Sequence, residues 1–382
     1  MAAALWLSRA VNTDPFPDPF ATSNKWTEFK AAFDALQPTG QTAQATLIKS
    51  TGIAVNSNWR SGCAIPGNKG LVVPYTGTDK LMEANFTANT YTEGIDVGVS
   101  SSYGGGSTLA YDDDNWLCQW TMPLGGPHLS KIRLDLDYLT NPAALTQYDV
   151  GLFPTSNAQK CYGTKAAYTG EIFGCPYGAR IPSGNTVIIG ARPDGSIFTI
   201  TLDAFYDNGW RGICTDKHGR LVFIPYDAPF VLIVDPTNYN VEYIACPATA
   251  AKFDRGATGP DGYIYMCSDG NYGKVGVLNT DTDTYSEFSS TGFSGANGFK
   301  MTPSGLLVPS ILSGQYFFTL NTATQTLTQF GDIIAGSNRY RQLIISTDGC
   351  AYTAGLFESA DVWRLMTPYP VTERFALSPF IN

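Results

Sequence analysis

Short turns recur along this sequence at nearly constant spacing, and each leads into an apolar run. Asp216-Lys217-His218-Gly219 precedes Leu221-Val222-Phe223-Ile224, and Pro260-Asp261-Gly262 precedes Ile264-Tyr265-Met266. Thr302-Pro303-Ser304-Gly305 precedes Leu306-Leu307-Val308, and Thr347-Asp348-Gly349 precedes Cys350-Ala351-Tyr352. The four turn glycines are 43, 43 and 44 residues apart. A period of this length belongs to a four-stranded β unit, which cannot bury its faces alone and must stack on neighbours.

The repeat continues upstream. Gly170 opens Glu171-Ile172-Phe173-Gly174-Cys175-Pro176-Tyr177, echoing Gly219 and its run to Pro225-Tyr226. Gly70 opens Leu71-Val72-Val73-Pro74, and Asn115 before Trp116-Leu117-Cys118 fills the remaining slot. Asn tolerates the left-handed backbone better than any residue but Gly. Turns at 70, 115, 170, 219, 262, 305 and 349 predict an all-β, seven-bladed β-propeller over residues 57–382, with the two wider intervals as loop insertions.

Each blade also has a second echo, as in Val231-Leu232-Ile233-Val234-Asp235-Pro236-Thr237 and Tyr316-Phe317-Phe318-Thr319-Leu320-Asn321-Thr322. A polar alternating segment such as Thr284-Tyr285-Ser286-Glu287-Phe288 then reads as the outer strand. One turn is of another kind, Arg192-Pro193-Asp194-Gly195 between two strands of the third blade. Asp361–Leu365 and Thr372–Leu377 complete the last blade in this reading. Closure then comes from packing of the first blade on the last, aided by the stretch around Thr46-Leu47-Ile48.

Residues 1–56 do not follow the repeat and read as an N-terminal arm. The Pro-rich segment 12–20, carrying Phe16 and Phe20, is extended and stiff. A helix then places Trp26, Phe29, Phe33 and Leu36 on one apolar face. That face either packs on the propeller's own flank or docks the chain on a larger assembly.

Among 382 residues, 43% are apolar, and 39 glycines and 23 prolines suit a turn-dense β protein. A net charge of −9 argues against nucleic acid, whose binding needs a basic face. No run is long enough to span a bilayer, and the first residues lack the basic start of a secretory signal. The eight cysteines form no CxxC pair and read as buried thiols, with one or two cross-strand disulfides as the alternative.

Chemistry is sparse. His218 lies in a turn and His128 in an insertion loop without a recognisable partner, so no catalytic residues are assigned. The acidic groups at Asp112–Asp114 and at Asp281 with Asp283 lack the pattern of a calcium loop, so no metal or cofactor is expected. Arginines are more suggestive. Arg211 and Arg255 each precede a glycine near the start of a first strand, and Arg341 and Arg60 sit at similar offsets. First strands line the axis of a propeller, so these four would gather at one channel mouth. There they hold an anion or a partner's carboxylates, or they staple adjoining blades.

The combination of Arg-Gly, a turn glycine, Ile224-Pro225-Tyr226 and Val234-Asp235-Pro236-Thr237 resembles seven-bladed propeller proteins of tailed-bacteriophage particles. The closing Phe375-Ala376-Leu377-Ser378-Pro379-Phe380-Ile381-Asn382 is similar to the ends of some members. The resemblance implies a non-enzymatic tail or capsid protein located in the virion. Its partners would be other virion structural proteins and a host-surface glycan or protein, with neither nucleic acid bound nor membrane inserted. Tyrosine-bearing loops at Tyr103 and Tyr272 would suit such recognition. A propeller lyase or hydrolase with a site at the channel mouth and a cellular protein-binding scaffold are the alternatives.

Overall fold

The computed structural model describes residues 24–36, 41–50, 59–74, 80–96, 107–109, 116–121, 128–133, 137, 139–149, 161–177, 184–192, 194–203, 206, 208–246, 252–268, 273–289, 293, 296–311, 316–331, 340–355, 361–369 and 371. Numbered in chain order, its strands run from β1 (Ala43–Ser50) to β28 (Asp361–Met366) and pair antiparallel in seven four-stranded sheets. The innermost strands are β2 (Trp59–Ile65), β6 (Ser107–Leu109), β10 (Cys161–Ala166), β14 (Trp210–Thr215), β18 (Phe253–Thr258), β22 (Ala296–Met301) and β26 (Tyr340–Ile345). Each touches the next, and β26 touches β2, so the inner strands close a ring around one axis. The fold is a β-propeller.

Local chemistry explains the sheets. Gly170, Gly219, Gly262, Gly305 and Gly349 all have φ between +73° and +87°, where a side chain would clash with its own backbone. The second strands β11 (Ile172–Pro176), β15 (Leu221–Pro225) and β19 (Ile264–Ser268) are buried along their whole length, because a sheet lies against each face. The outer strands β17 (Val241–Ala245), β21 (Thr284–Ser289) and β25 (Thr326–Phe330) alternate between half-buried and exposed. The first turn differs from expectation. Gly70 lies within β3 (Lys69–Pro74), and the chain reverses at Gly67 (φ +87°) and Asn68 (φ +58°). The turn residue expected at Asn115 lies outside the described residues.

The last sheet corrects the expected closure. Its order is β1-β28-β27-β26, where β27 is Ala351–Gly355, so a strand from within the supposed arm fills the outer place. Ala43 pairs with Met366 and Ser50 with Asp361. The propeller therefore begins by residue 43 rather than 57. The segment 372–377, expected to fill that place, lies outside the described residues. Backbone pairing explains the outcome: β1 and β28 satisfy each other's edge, which packing between sheets alone leaves open.

Gln41 clasps this junction. Its Nε2 donates to the carbonyls of Gly349 (2.9 Å) and Thr367 (3.1 Å), and its Oε1 accepts from the Ser304 amide (3.1 Å). One buried side chain thus ties the closing strand to the inner turns of two sheets.

The helix α1 (Asn24–Leu36) lies against the same turns. Phe29 is buried in the core cluster that contains Tyr265, Met301 and Met366, and Trp26, Phe33 and Leu36 pack beside it. A Cβ at Gly262 would lie 3.2 Å from Trp26, and one at Gly305 would lie 3.1 Å from Phe33. The apolar face expected as a docking element is used on the chain's own sheets. Phe16 and Phe20 lie outside the described residues.

Charged side chains staple neighbouring sheets. Arg220 donates to Asp216 (2.8 Å) in its own sheet and to Asp283 (3.1 Å) in the next. Lys217 and His218 both reach Asp281, at 2.5 and 3.2 Å. The second acidic pair weighed for calcium is therefore bound to basic side chains.

Replacing Gln41 with Ala should lower the unfolding free energy by about 2–4 kcal/mol, because two carbonyls and an amide lose their partner in a buried place. Urea unfolding followed by circular dichroism checks this.

Candidate site at the axis

The inner strands place the four candidate arginines on β2, β14, β18 and β26, all beside the axis. Register decides which of them share a level. A β-bulge interrupts pairing between Trp59 and Ser61, between Trp210 and Gly212, and between Tyr340 and Leu343. Arg60, Arg211 and Arg341 occupy those bulges. On β18 the bulge falls between Phe253 and Arg255, so Asp254 takes the level and Arg255 is displaced by one residue. On β22 the corresponding place holds Asn297. The expected ring of four equivalent arginines is thus three arginines plus one out of step. The side chains of Arg60 and Arg341 lie outside the described residues.

Arg211 is held by aromatic rings. Its guanidinium centre lies 3.3 Å from the Tyr226 ring centre and 5.0 Å from that of Tyr177, and its Nη2 donates to the Tyr177 hydroxyl at 3.0 Å. The two tyrosines meet edge-on at 5.9 Å. Lys252 lies over Tyr226 at 4.8 Å and pairs with Asp227 at 2.8 Å. Cation–ring contacts of this kind contribute about 0.5–2 kcal/mol each and fix the orientation of the cation. The tyrosines belong to the repeated Pro-Tyr pairs 176–177 and 225–226. Only the structure shows that the Arg-Gly repeat and the Pro-Tyr repeat meet.

Glycine makes this crowding possible. A Cβ at Gly212 would lie 2.7 Å from the Arg255 Cα, so β14 and β18 approach backbone to backbone there. Gly298 (φ +142°) gives way to the Arg255 stem, since its Cβ would lie 2.6 Å from the Arg255 Cβ.

Nearer the inner turns lies a second group that sequence inspection passed over. Lys165 on β10, Cys214 on β14 and Lys300 on β22 each occupy the next-to-last pair of their strand, opposite Phe173, Val222 and Val308. Cys63 on β2, opposite Leu71, acts on both lysines, as Cys214 does. Lys165 and Lys300 also act on each other. Two inner strands separate β10 from β22 one way round the ring and three the other, so the influence of one lysine on the other acts across the axis. A signal existed: both lysines lie five residues before a turn glycine, Gly170 or Gly305.

Burial dominates the electrostatics. It pulls the Lys165 ammonium down to about 7, helped by the Lys300 charge, and it pulls Lys300 down to about 8, helped by Arg255. The same burial pushes the thiols of Cys63 and Cys214 up to about 12. Around neutral pH the group therefore comprises protonated thiols and amines near their titration point. Cys63, Cys175, Cys214, Cys246, Cys267 and Cys350 are all buried and free.

His218 lies exposed in its turn, bound to Asp281, and His128 begins β8 (His128–Arg133), its side chain outside the described residues. Among the described residues, no cluster of three or more His, Cys, Asp or Glu is placed to hold a metal ion. Nor is any described helix long and apolar enough to cross a membrane. Asp112–Asp114, Tyr103 and Tyr272 lie outside the described residues.

Comparison with known proteins places this architecture among diverse propellers. No protein-family description matches the sequence, and no curated protein is significantly similar to it. Solved structures match the fold. A catalytically inactive histidine-to-alanine variant of virginiamycin B lyase from Staphylococcus aureus, with quinupristin, superposes with a TM-score of 0.65 at 12% identity, covering 86% of this chain and 99% of the lyase. YCF48 bound to D1 peptide gives 0.56 at 14% identity, covering 86% and 95%. The WD40 propeller domain of Doa1 gives 0.61 at 13% identity, covering 86% and 97%. At such identities the likeness concerns the fold alone. The resemblance to phage-particle propellers is corrected: these similar structures are a lyase, a peptide-bound propeller and a WD40 domain, and none links the chain to a phage.

The titrations at the axis have a measurable consequence. Between about 7 and the ordinary lysine value of 10.5, the unfolded chain binds more protons than the folded one at Lys165 and Lys300, so stability rises with pH. Above the ordinary thiol value of 9.0, the unfolded chain releases thiol protons that the folded chain keeps, so stability falls. Stability in urea should therefore peak between these limits. Lys165→Met should stabilise the protein at pH 6.5 and flatten the rise, which urea titrations across pH 6–10 would show.

Proposed function

We propose that the protein is a non-catalytic binding propeller that takes an acidic or carboxylate-ended segment of a partner protein at the channel mouth around Arg211. The arrangement of Arg211 and Lys252 on the Tyr177–Tyr226 pair carries this reading. A guanidinium held by rings keeps its direction without surrendering its charge, and a carboxylate is its natural complement. Tyrosine beside it offers broad contact to a peptide backbone at low entropic cost. In a chain of net charge −9, a local basic site also selects for where on the surface an acidic segment can settle. The solved structure of YCF48 with D1 peptide supports the reading, since a protein of similar fold binds a peptide.

The lyase reading has less support. In the staphylococcal lyase a histidine-to-alanine variant is catalytically inactive. Here His218 is engaged with Asp281 in an exposed turn at the end of β14.

Fluorescence anisotropy with a labelled hexaglutamate peptide tests the proposal. Arg211→Ala should weaken binding about tenfold, and Lys252→Ala should do so to a lesser degree. Added salt should weaken the wild-type complex. Absence of binding, or equal binding by wild type and Arg211→Ala, would refute it.

A further inference from the structure

We propose that the mouth reads the backbone of its partner as well as its charge: an extended segment sets a carboxylate on Arg211 and the N–H and C=O of a nearby residue on the buried side-chain amide of Asn297. The inference rests on the peptide reading above and adds the form of the segment, which is one acid with neutral residues beside it.

The state of Asn297 is the first argument. It is 2% exposed, and neither its Oδ1 nor its Nδ2 has a hydrogen-bond partner. Buried polar groups are almost always paired, and leaving both a donor and an acceptor unpaired is costly. A side-chain amide presents an acceptor oxygen and a donor nitrogen on one flat group. In an extended chain the N–H and C=O of one residue point the same way and are exchanged together with a facing partner. Such a residue satisfies both ends of the Asn297 amide. A carboxylate, which only accepts, satisfies one.

Placement is the second argument. Pairing on β22 shifts between Ala296 and Phe299, so Asn297 occupies a bulge, as Arg211 does on β14. A bulge takes a residue out of the ladder and re-aims its side chain. Gly298, the next residue, has φ +142°, a conformation that residues with a Cβ rarely adopt, so this bulge depends on the Asn-Gly pair.

Distance is the third. The Cβ positions of Gly212 and Gly298 fall 2.7 Å from the Arg255 Cα and 2.6 Å from the Arg255 Cβ. Adding carbon–carbon bonds of about 1.5 Å each puts the two glycine Cα atoms about 10 Å apart or less. Arg211 and Asn297 each stand one residue before these glycines. An extended chain advances about 3.3–3.6 Å per residue, so roughly three residues bridge the two side chains. Asp254 holds the corresponding place on β18, the strand between them. A second acid passing there meets a like charge, which selects neutral residues beside the first.

The experiment is fluorescence anisotropy of the full chain with two dye-labelled probes: pentaalanine with a free chain end, and Ala-Ala-Glu-Ala-Ala with that end amidated. Tighter binding of the first assigns a chain-end carboxylate, and of the second an acidic side chain. One backbone N-methyl group, moved along the better probe, should weaken binding about tenfold at a single position, and Asn297→Leu should weaken it equally. The two changes together should cost no more than either alone, because they remove the same contact. Urea unfolding should find Asn297→Leu at least as stable as the wild type, since it no longer buries an unpaired amide. Asn297→Ala repeats the binding test if leucine does not fit. Loss of binding in Arg211→Ala, with no effect of the Asn297 variants or of any N-methyl position, overturns this inference and leaves the Arg211 reading standing. Binding of hexaglutamate but of neither alanine probe does the same. Binding indifferent to Arg211→Ala overturns the Arg211 reading and this inference with it.

Discussion

Every sheet in this protein depends on having a sheet on each side, and that requirement can be met only by a closed ring. The second strands show why. Leu221, Val222, Phe223 and Ile224 are all buried, although consecutive residues of a strand point to opposite faces. A sheet with two apolar faces cannot face water on either one. Closure is therefore a condition for the stability of each part, and the pairing of β1 with β28 is where the chain meets it. Gln41, the helix face and the turns at Gly305 and Gly349 all gather at this junction.

Closure also creates the place where chemistry collects. Seven inner strands run side by side around the axis, so a residue at one level of one strand meets residues at that level of the others. Small changes in register then alter function without altering fold. One displaced residue on β18 puts Asp254 where its neighbour β14 has Arg211 and moves Arg255 toward Lys300. The glycines at 212 and 298 permit that move by leaving the space a side chain would fill.

Much of the fold is legible because its turns demand glycine. Positive φ at positions 170, 219, 262, 305 and 349 leaves a visible mark at a visible period. The closing strand leaves none. Ala43–Ser50 alternates like any edge strand, and its partner is more than three hundred residues away. Likewise, the face of Trp26, Phe29, Phe33 and Leu36 shows that something covers it but not what does. At the axis, the arginines could be found by repetition, yet their levels depend on bulges that sequence spacing does not reveal. The lysines were hidden for a different reason. A charged residue within an apolar strand reads as solvent-facing until the ring shows that its neighbours surround it.

The composite sheet imposes an order of events on synthesis. β1 leaves the ribosome about three hundred residues before its partner Asp361–Met366. At usual elongation rates of about 5–20 residues per second, β1 waits roughly 15–60 s with an unpaired edge. Its polar positions Gln44, Thr46, Lys49 and Ser50 are suited to that interval, because they keep the nascent strand compatible with water. The same waiting strand offers its edge to any copy emerging nearby. Crowded translation of one message thus favours exchange of β1 between newly made chains, joining two rings where each should have closed on itself.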